Sequence, residues 1–290
     1  MLHPAVIVAA VLTMLPYFAA AFFPSITARA NRLPTPARLL LTVLLCVPYA
    51  LVACSAHVFQ WRWLALYALL PVALAALLHR ARLADPNQRG NWRDFLVLMV
   101  LGLAVDLRWF QPAWPARLSA FNKILLLDAG IYAFLCIRQL NGVGFNLRLR
   151  LHDLGIGWRE FFFYAPIAIL IGLAIGFLHF HAVVPSATHA LAAFAFSFFL
   201  VAVPEELFFR GWLQNLLERR MGRTPALILT AVLFGLAHFN KRAAHFNWRY
   251  VLLAAIAGIF YGRAWRQGRR VGASAIAHAT VDTVWGLWML

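Results

Sequence analysis

Hydrophobic runs, separated by short breaks that carry arginine or proline, fill this chain almost from end to end. Ten can be placed, at 4–27, 38–58, 63–78, 94–107, 121–138, 161–178, 188–217, 225–239, 249–265 and 271–290. Most reach the ~17–25 residues of a membrane-crossing α-helix, and all exceed the ~9–11 of a barrel strand. In lipid the backbone satisfies itself only in helices or closed barrels, so the pattern predicts an all-α, polytopic transmembrane helical bundle of about ten segments. Segments 63–78 and 94–107 fall short of a full span and are expected to be tilted or re-entrant. The first run is longer than the apolar core of a signal peptide and no basic residue precedes it, so it reads as a retained helix. The alternation in "FNLRLRLHDLGIGW", residues 145–158, predicts a short hairpin or interfacial strand. A boundary near residue 158 separates amino-terminal helices 1–158, which carry no motif, from a motif-bearing half at 159–290.

Composition supports the membrane reading. Of 290 residues, 63% are hydrophobic and 12% charged, about half the charged share of a soluble domain. The net charge of +16 would suit a nucleic-acid partner if it were gathered on one surface. It is not. Alternate loops, at 29–38, 80–93, 138–159, 219–223 and 263–270, hold 18 of the 26 basic residues, and the opposite loops hold six. That asymmetry places both termini outside and the arginine-rich loops in the cytoplasm, against anionic lipid, with no nucleic-acid role. Cys46, Cys54 and Cys136 lie in apolar segments without paired spacing and read as packing residues.

Against this background the polar groups inside segments stand out. In "FLVAVPEELFFRGW", residues 199–212, Glu205 and Glu206 are adjacent and diverge by roughly 100° around a helix. Arg210 follows Glu206 by four residues, the favourable acid-before-base pair on one face. Glu206 and Arg210 are therefore expected to neutralise each other and leave Glu205 to point elsewhere. "VLFGLAHFN" carries His238 four residues after Phe234, with Asn240 beyond it. "ASAIAHATVDTVWG" sets His278 and Asp282 on one face, where the carboxylate either fixes the imidazole tautomer or shares a water or ion with it. Asp128 with Lys123, and Asp106 near Arg108, read as local pairs, and His179, His181 and His189 as interfacial histidines. Counted from the charged helix ends, Glu205, His238 and His278 fall roughly 12–21 Å deep, in one layer.

"EELFFR", "FGLAH" and "HATVD", in that order on three late helices, resemble the three motifs of the CPBP family. These are intramembrane proteases related to the type II CAAX prenyl endopeptidase and to bacteriocin-processing or immunity proteins. The family pattern is Glu-Glu-x-x-x-Arg, then Phe-x-x-x-His, then His-x-x-x-Asn or Asp, and the resemblance covers about residues 190–286. It implies a glutamic or metallo-endopeptidase in which Glu205 activates water, His238, His278 and Asp282 surround that water and the oxyanion, and Glu206 and Arg210 support them. It implies a membrane-anchored protein or peptide as substrate and, in a bacterial host, the inner membrane. Asp282 stands where many members have asparagine. If zinc were used, Glu205, His238, His278 and Asp282 would be its ligands; a metal-free glutamate mechanism is the expectation. A non-catalytic scaffold or immunity protein that keeps the motif for structure is the alternative. A proton-coupled transporter is disfavoured, because the chain has no repeated halves.

Overall fold

The computed structural model describes residues 3–243 and 245–289 and is helical throughout, with no strand among them. It divides into two compact units, Met1–Asn141 and Gly142–Leu290.

The first unit contains α1 (Pro4–Phe22), α2 (Pro24–Ala30), α3 (Thr35–Ser55), α4 (Trp61–Ala84), α5 (Trp92–Asp106) and α6 (Ala116–Ile137). Arg138, at the end of α6 and fully buried, clasps this unit. Its guanidinium holds Asp94 on α5 and Asp85 in the α4–α5 connection, each at 2.7 Å. Asp94 also closes the reciprocal cap of α5, accepting from the Asn91 backbone N–H at 2.8 Å. Farther along, Tyr67 accepts from the Trp114 indole at 2.7 Å and donates to Asn122. Asp128 is not locally paired with Lys123: it is buried, and neither of its carboxyl oxygens has a hydrogen-bond partner.

The second unit is built from α7 (Leu151–Ala174), α8 (Ala187–Met221), α9 (Arg223–Leu236), α10 (Trp248–Gly268) and α11 (Val271–Trp288). α7, α10 and α11 meet at Ile156, Ala264 and Ala273. At one end of the unit, carboxylates staple these helices to arginines: Asp153 to Arg270, Glu160 to Arg263, and Glu218 to both Arg266 and Arg269. Gly144 lies against that turn at φ +74°, and a Cβ there would stand 2.2 Å from the Arg269 carbonyl. Only glycine fits this position. Gly235 lets α9 approach α10 closely, since its Cβ would meet the Val251 carbonyl at 2.5 Å.

Among the described residues six helices, α1, α3, α4, α6, α7 and α8, are long and apolar enough to cross a membrane, so the expected count of about ten is not confirmed. α5 and α9 are too short, at 15 and 14 residues. α10 and α11 are too polar: the first carries Arg249, Arg263 and Arg266, the second Ser274, His278 and Asp282. α11 can bear such groups because its first half, Val271–Ala279, is buried by protein. Segment 63–78, expected to fall short, is part of a 24-residue helix that runs past Arg80 and Arg82. The expected strand near 145–158 is absent. From Leu151 onward that stretch belongs to α7, whose first turn Asp153 caps by accepting from the Arg150 N–H at 2.9 Å. Residue 158 lies inside the same helix.

Candidate active site

The long helix α8 is not wound uniformly. Pro204 has no N–H to give the preceding turn, and the helix widens to π-type winding at Phe198–Ala202 and Leu207–Gln214. Between these two stretches sit Glu205 and Glu206, aimed in different directions.

Glu206 points into protein and is fully buried. Its Oε1 accepts from Arg210 Nη1 at 3.1 Å and from His278 Nδ1 at 2.8 Å, and its Oε2 accepts from the Ser274 hydroxyl. Arg210, equally buried, donates to the Gly258 carbonyl at 3.0 Å and lies over the Phe234 ring at 4.5 Å. Both oxygens of Glu206 and both terminal nitrogens of Arg210 are thus engaged.

Glu205 points away from that pair, with its side chain 25% exposed. Lys241, in the connection between α9 and α10, brings its ammonium to 3.4 Å from Oε1. Oε2 faces two imidazoles, with His238 Nε2 at 4.0 Å and His278 Nε2 at 3.9 Å. Each ring is oriented from behind. His238 Nδ1–H donates to the Phe234 carbonyl at 2.8 Å, and the ring lies between Phe234 and Tyr250. His278 Nδ1–H donates to Glu206, and the ring stacks on Tyr261 at 4.6 Å. With Nδ1 donating, a neutral ring turns the lone pair of Nε2 toward the Glu205 carboxylate, and a protonated ring presents an N–H there.

Asp282 completes the group. Its Oδ2 lies 3.6 Å from His278 Nε2 and accepts from the Ser197 hydroxyl at 3.0 Å. Of the two roles open to Asp282 in the sequence, tautomer control falls instead to Glu206, on the far nitrogen of the ring. Asp282 shares the Nε2 side with Glu205.

The structure thus brings Glu205, His238, His278 and Asp282 around one point, with Glu206 and Arg210 behind them. It also adds Ser197, Ser274, Tyr261 and Lys241, none of which a motif marks. Polar atoms about 4 Å apart are too distant for a direct hydrogen bond and suited to one shared water. Two imidazoles and two carboxylates are also a donor set of the kind zinc takes. As arranged they do not fit it: the spacings of 3.6–4.0 Å exceed the ~3.3 Å that tetrahedral zinc imposes, and the Lys241 cation sits on Glu205. Among the described residues no three His, Cys, Asp or Glu side chains are grouped to hold a metal ion. His179, His181 and His189 form no such group; the backbones of His179 and His181 pair with the end of α11.

Residues 186–284, about a third of the chain, match the family model described as Type II CAAX prenyl endopeptidase Rce1-like. No curated protein matches the chain. No solved structure matches it.

Proposed function

We propose that the protein is an intramembrane endopeptidase using a glutamate-activated water, a reading supported by the match of residues 186–284 to the type II CAAX prenyl endopeptidase model. The six apolar helices make it a multi-pass integral membrane protein, and its family acts on membrane-associated proteins. The observation that carries the mechanism is the convergence of Glu205 Oε2 with Nε2 of His238 and His278, within 4.0 Å.

A water held there donates one hydrogen to Glu205 and the other to His238 Nε2. As its oxygen attacks the scissile carbonyl, the first proton passes to Glu205. Negative charge develops on the carbonyl oxygen and needs a donor. A proton on His278 Nε2 supplies it, with Glu206 holding the opposite nitrogen and Asp282 beside it. Collapse of the tetrahedral intermediate breaks the C–N bond, and Glu205 returns its proton to the leaving amine. Lys241 keeps Oε1 engaged, so that Oε2 is the atom facing the water. Arg210 balances Glu206 and leaves the cluster polarised toward the open side.

The substrate is a membrane-anchored protein or peptide, and the arginine-rich loops rest on anionic lipid. Zinc has no role in this scheme, so the purified enzyme should keep its activity after chelation. The test is a comparison of membrane proteomes from cells making wild-type protein or Glu205→Gln. Shortened products that depend on Glu205 are expected. Identical peptide patterns, with both proteins present at equal level, would overturn the reading.

A further inference from the structure

Among the described residues three arginines are buried: Arg38, Arg138 and Arg210. Two of them are neutralised by carboxylates, Arg138 by Asp85 and Asp94, and Arg210 by Glu206. Arg38, near the start of α3 and only 8% exposed, pairs with no acid among the described residues. A buried cation without a counter-ion is strongly unfavourable, so the missing charge has to be found.

The first unit does not hold it. Residues 1–84 contain six arginines and no aspartate or glutamate. Four acids follow in the unit, and two of these, Asp85 and Asp94, are taken by Arg138. Asp106 closes α5 at the end away from Asp94, ~18 Å along the helix, and Asp128 precedes Cys136 on α6 by two turns, ~12 Å. Arg38 sits at Cys136.

We infer that Arg38 is the base of a binding site for a phosphate-bearing anion, at the Arg29–Arg38 end of the first unit. The inference does not depend on the protease reading. Arg38 has donors to spare. Its Nη2 donates to the Thr35 hydroxyl at 3.1 Å, its Nη1 reaches the Cys136 carbonyl only at 3.5 Å, and its Nε has no partner. The Tyr132 hydroxyl, one turn before Cys136, is also buried without a partner, and Arg38 is close enough for its charge to act on both residues. α2 and the first turns of α3 both pack on Tyr132–Ile137, which brings the exposed Arg29 and Arg32 to the same end as Arg38. A phosphate presents two or more oxygens, each able to accept several hydrogen bonds, so one group can engage the Arg38 guanidinium and still meet Arg29 or Arg32. The headgroup of an anionic phospholipid and a free phosphate ion share this chemistry. The position, at the ends of the long apolar helices α3 and α6, favours the headgroup.

The test uses full-length protein purified in a neutral detergent and stripped of lipid. It would be titrated with dioctanoyl-phosphatidylglycerol, with dioctanoylglycerol, which lacks the phosphate, and with inorganic phosphate against chloride of equal ionic strength. Melting temperature and ligand retention in native mass spectrometry are the readouts. One phosphatidylglycerol should be retained per chain and raise the melting temperature saturably, and dioctanoylglycerol should do neither. Arg38→Met should weaken the binding by at least about tenfold, the order of one lost hydrogen bond to a charged group. Arg80→Gln, at an exposed arginine of another basic loop, should leave it unchanged. Should Arg38→Met not fold, Arg38→Lys takes its place with the same expectation, since it keeps the charge and loses the planar guanidinium. An equal effect of inorganic phosphate, lost in the Arg38 variant, would support the site with a free ion as its occupant. No retention of either phosphate compound by the wild type, binding that survives substitution of Arg38, or a loss shared by Arg80→Gln would overturn the inference.

Discussion

Glu206 is the residue on which most of the cluster leans. Three donors, one on α8 and two on α11, converge on it: Arg210, Ser274 and His278. Only one of them could be read from the sequence. The Arg210 contact follows from i,i+4 spacing on a single helix, and with it the outward aim of Glu205. The Ser274 and His278 contacts span 68 and 72 positions, and Ser197 reaches Asp282 across 85, so they depend on which helix faces which. Hydrophobic periodicity does not fix that. Lys241 sits in a polar connection where a lysine is unremarkable, and nothing in its surroundings marks it as a partner of Glu205. Glu206→Gln leaves Arg210 as a buried charge without its counter-ion and removes the acceptor that orients His278. Losing one partner of a buried pair costs ~3–5 kcal/mol, so both thermal stability and activity should fall together. If purified Glu206→Gln unfolds at the wild-type temperature, the pair does not carry the weight assigned to it.

Elements were legible where a helix is uniformly apolar and obscured where function or packing intrudes. α10 and α11 read as spans by position, yet their polar content belongs to the site and to its ion pairs, and protein buries the first half of α11. α4 was cut short in the sequence because Arg80 and Arg82 look like breaks, although a helix continues readily through long basic side chains. The close contact of α9 with α10 depends on Gly235, and a bulkier residue must push the Val251 carbonyl away. Gly235→Val should destabilise the second unit by ~1–3 kcal/mol and displace His238, whose ring hangs from α9. An unchanged melting temperature with full activity would contradict that packing role.

A second prediction at this scale concerns the clasp in the first unit. Burial works to raise the Asp85 pKa, but the N–H groups of Arg89 and Gly90 and the Arg138 guanidinium hold it below the usual carboxylate range. A carboxylate depressed in the folded state adds stability above its unfolded pKa of about 3.9, and that stability is lost as pH falls through the folded value. Melting temperature should therefore drop more steeply toward acid pH for wild type than for Asp85→Asn. Parallel curves would show that the clasp draws nothing from this charge.

At the scale of the whole molecule, the motif order leads to the cluster, and the arginine bias is an expectation about orientation. In the second unit, the basic loops at 219–223 and 263–270 meet at one end through Glu218, while the Lys241 connection holds the Glu205 side. With its native cysteines replaced, Arg223→Cys should resist a membrane-impermeant maleimide added to intact cells, and His245→Cys should react; the reverse pattern would invert the orientation. The central claim is that Glu205 takes the proton of a hydrolytic water, and one comparison reaches it most directly. Wild-type and Glu205→Gln proteins, purified in nanodiscs and matched for melting temperature, would be assayed on a peptide that the wild type cleaves. The account predicts no turnover by Glu205→Gln at unchanged stability, because the amide keeps the volume of the carboxylate and cannot accept the proton. Turnover at the wild-type rate would contradict it.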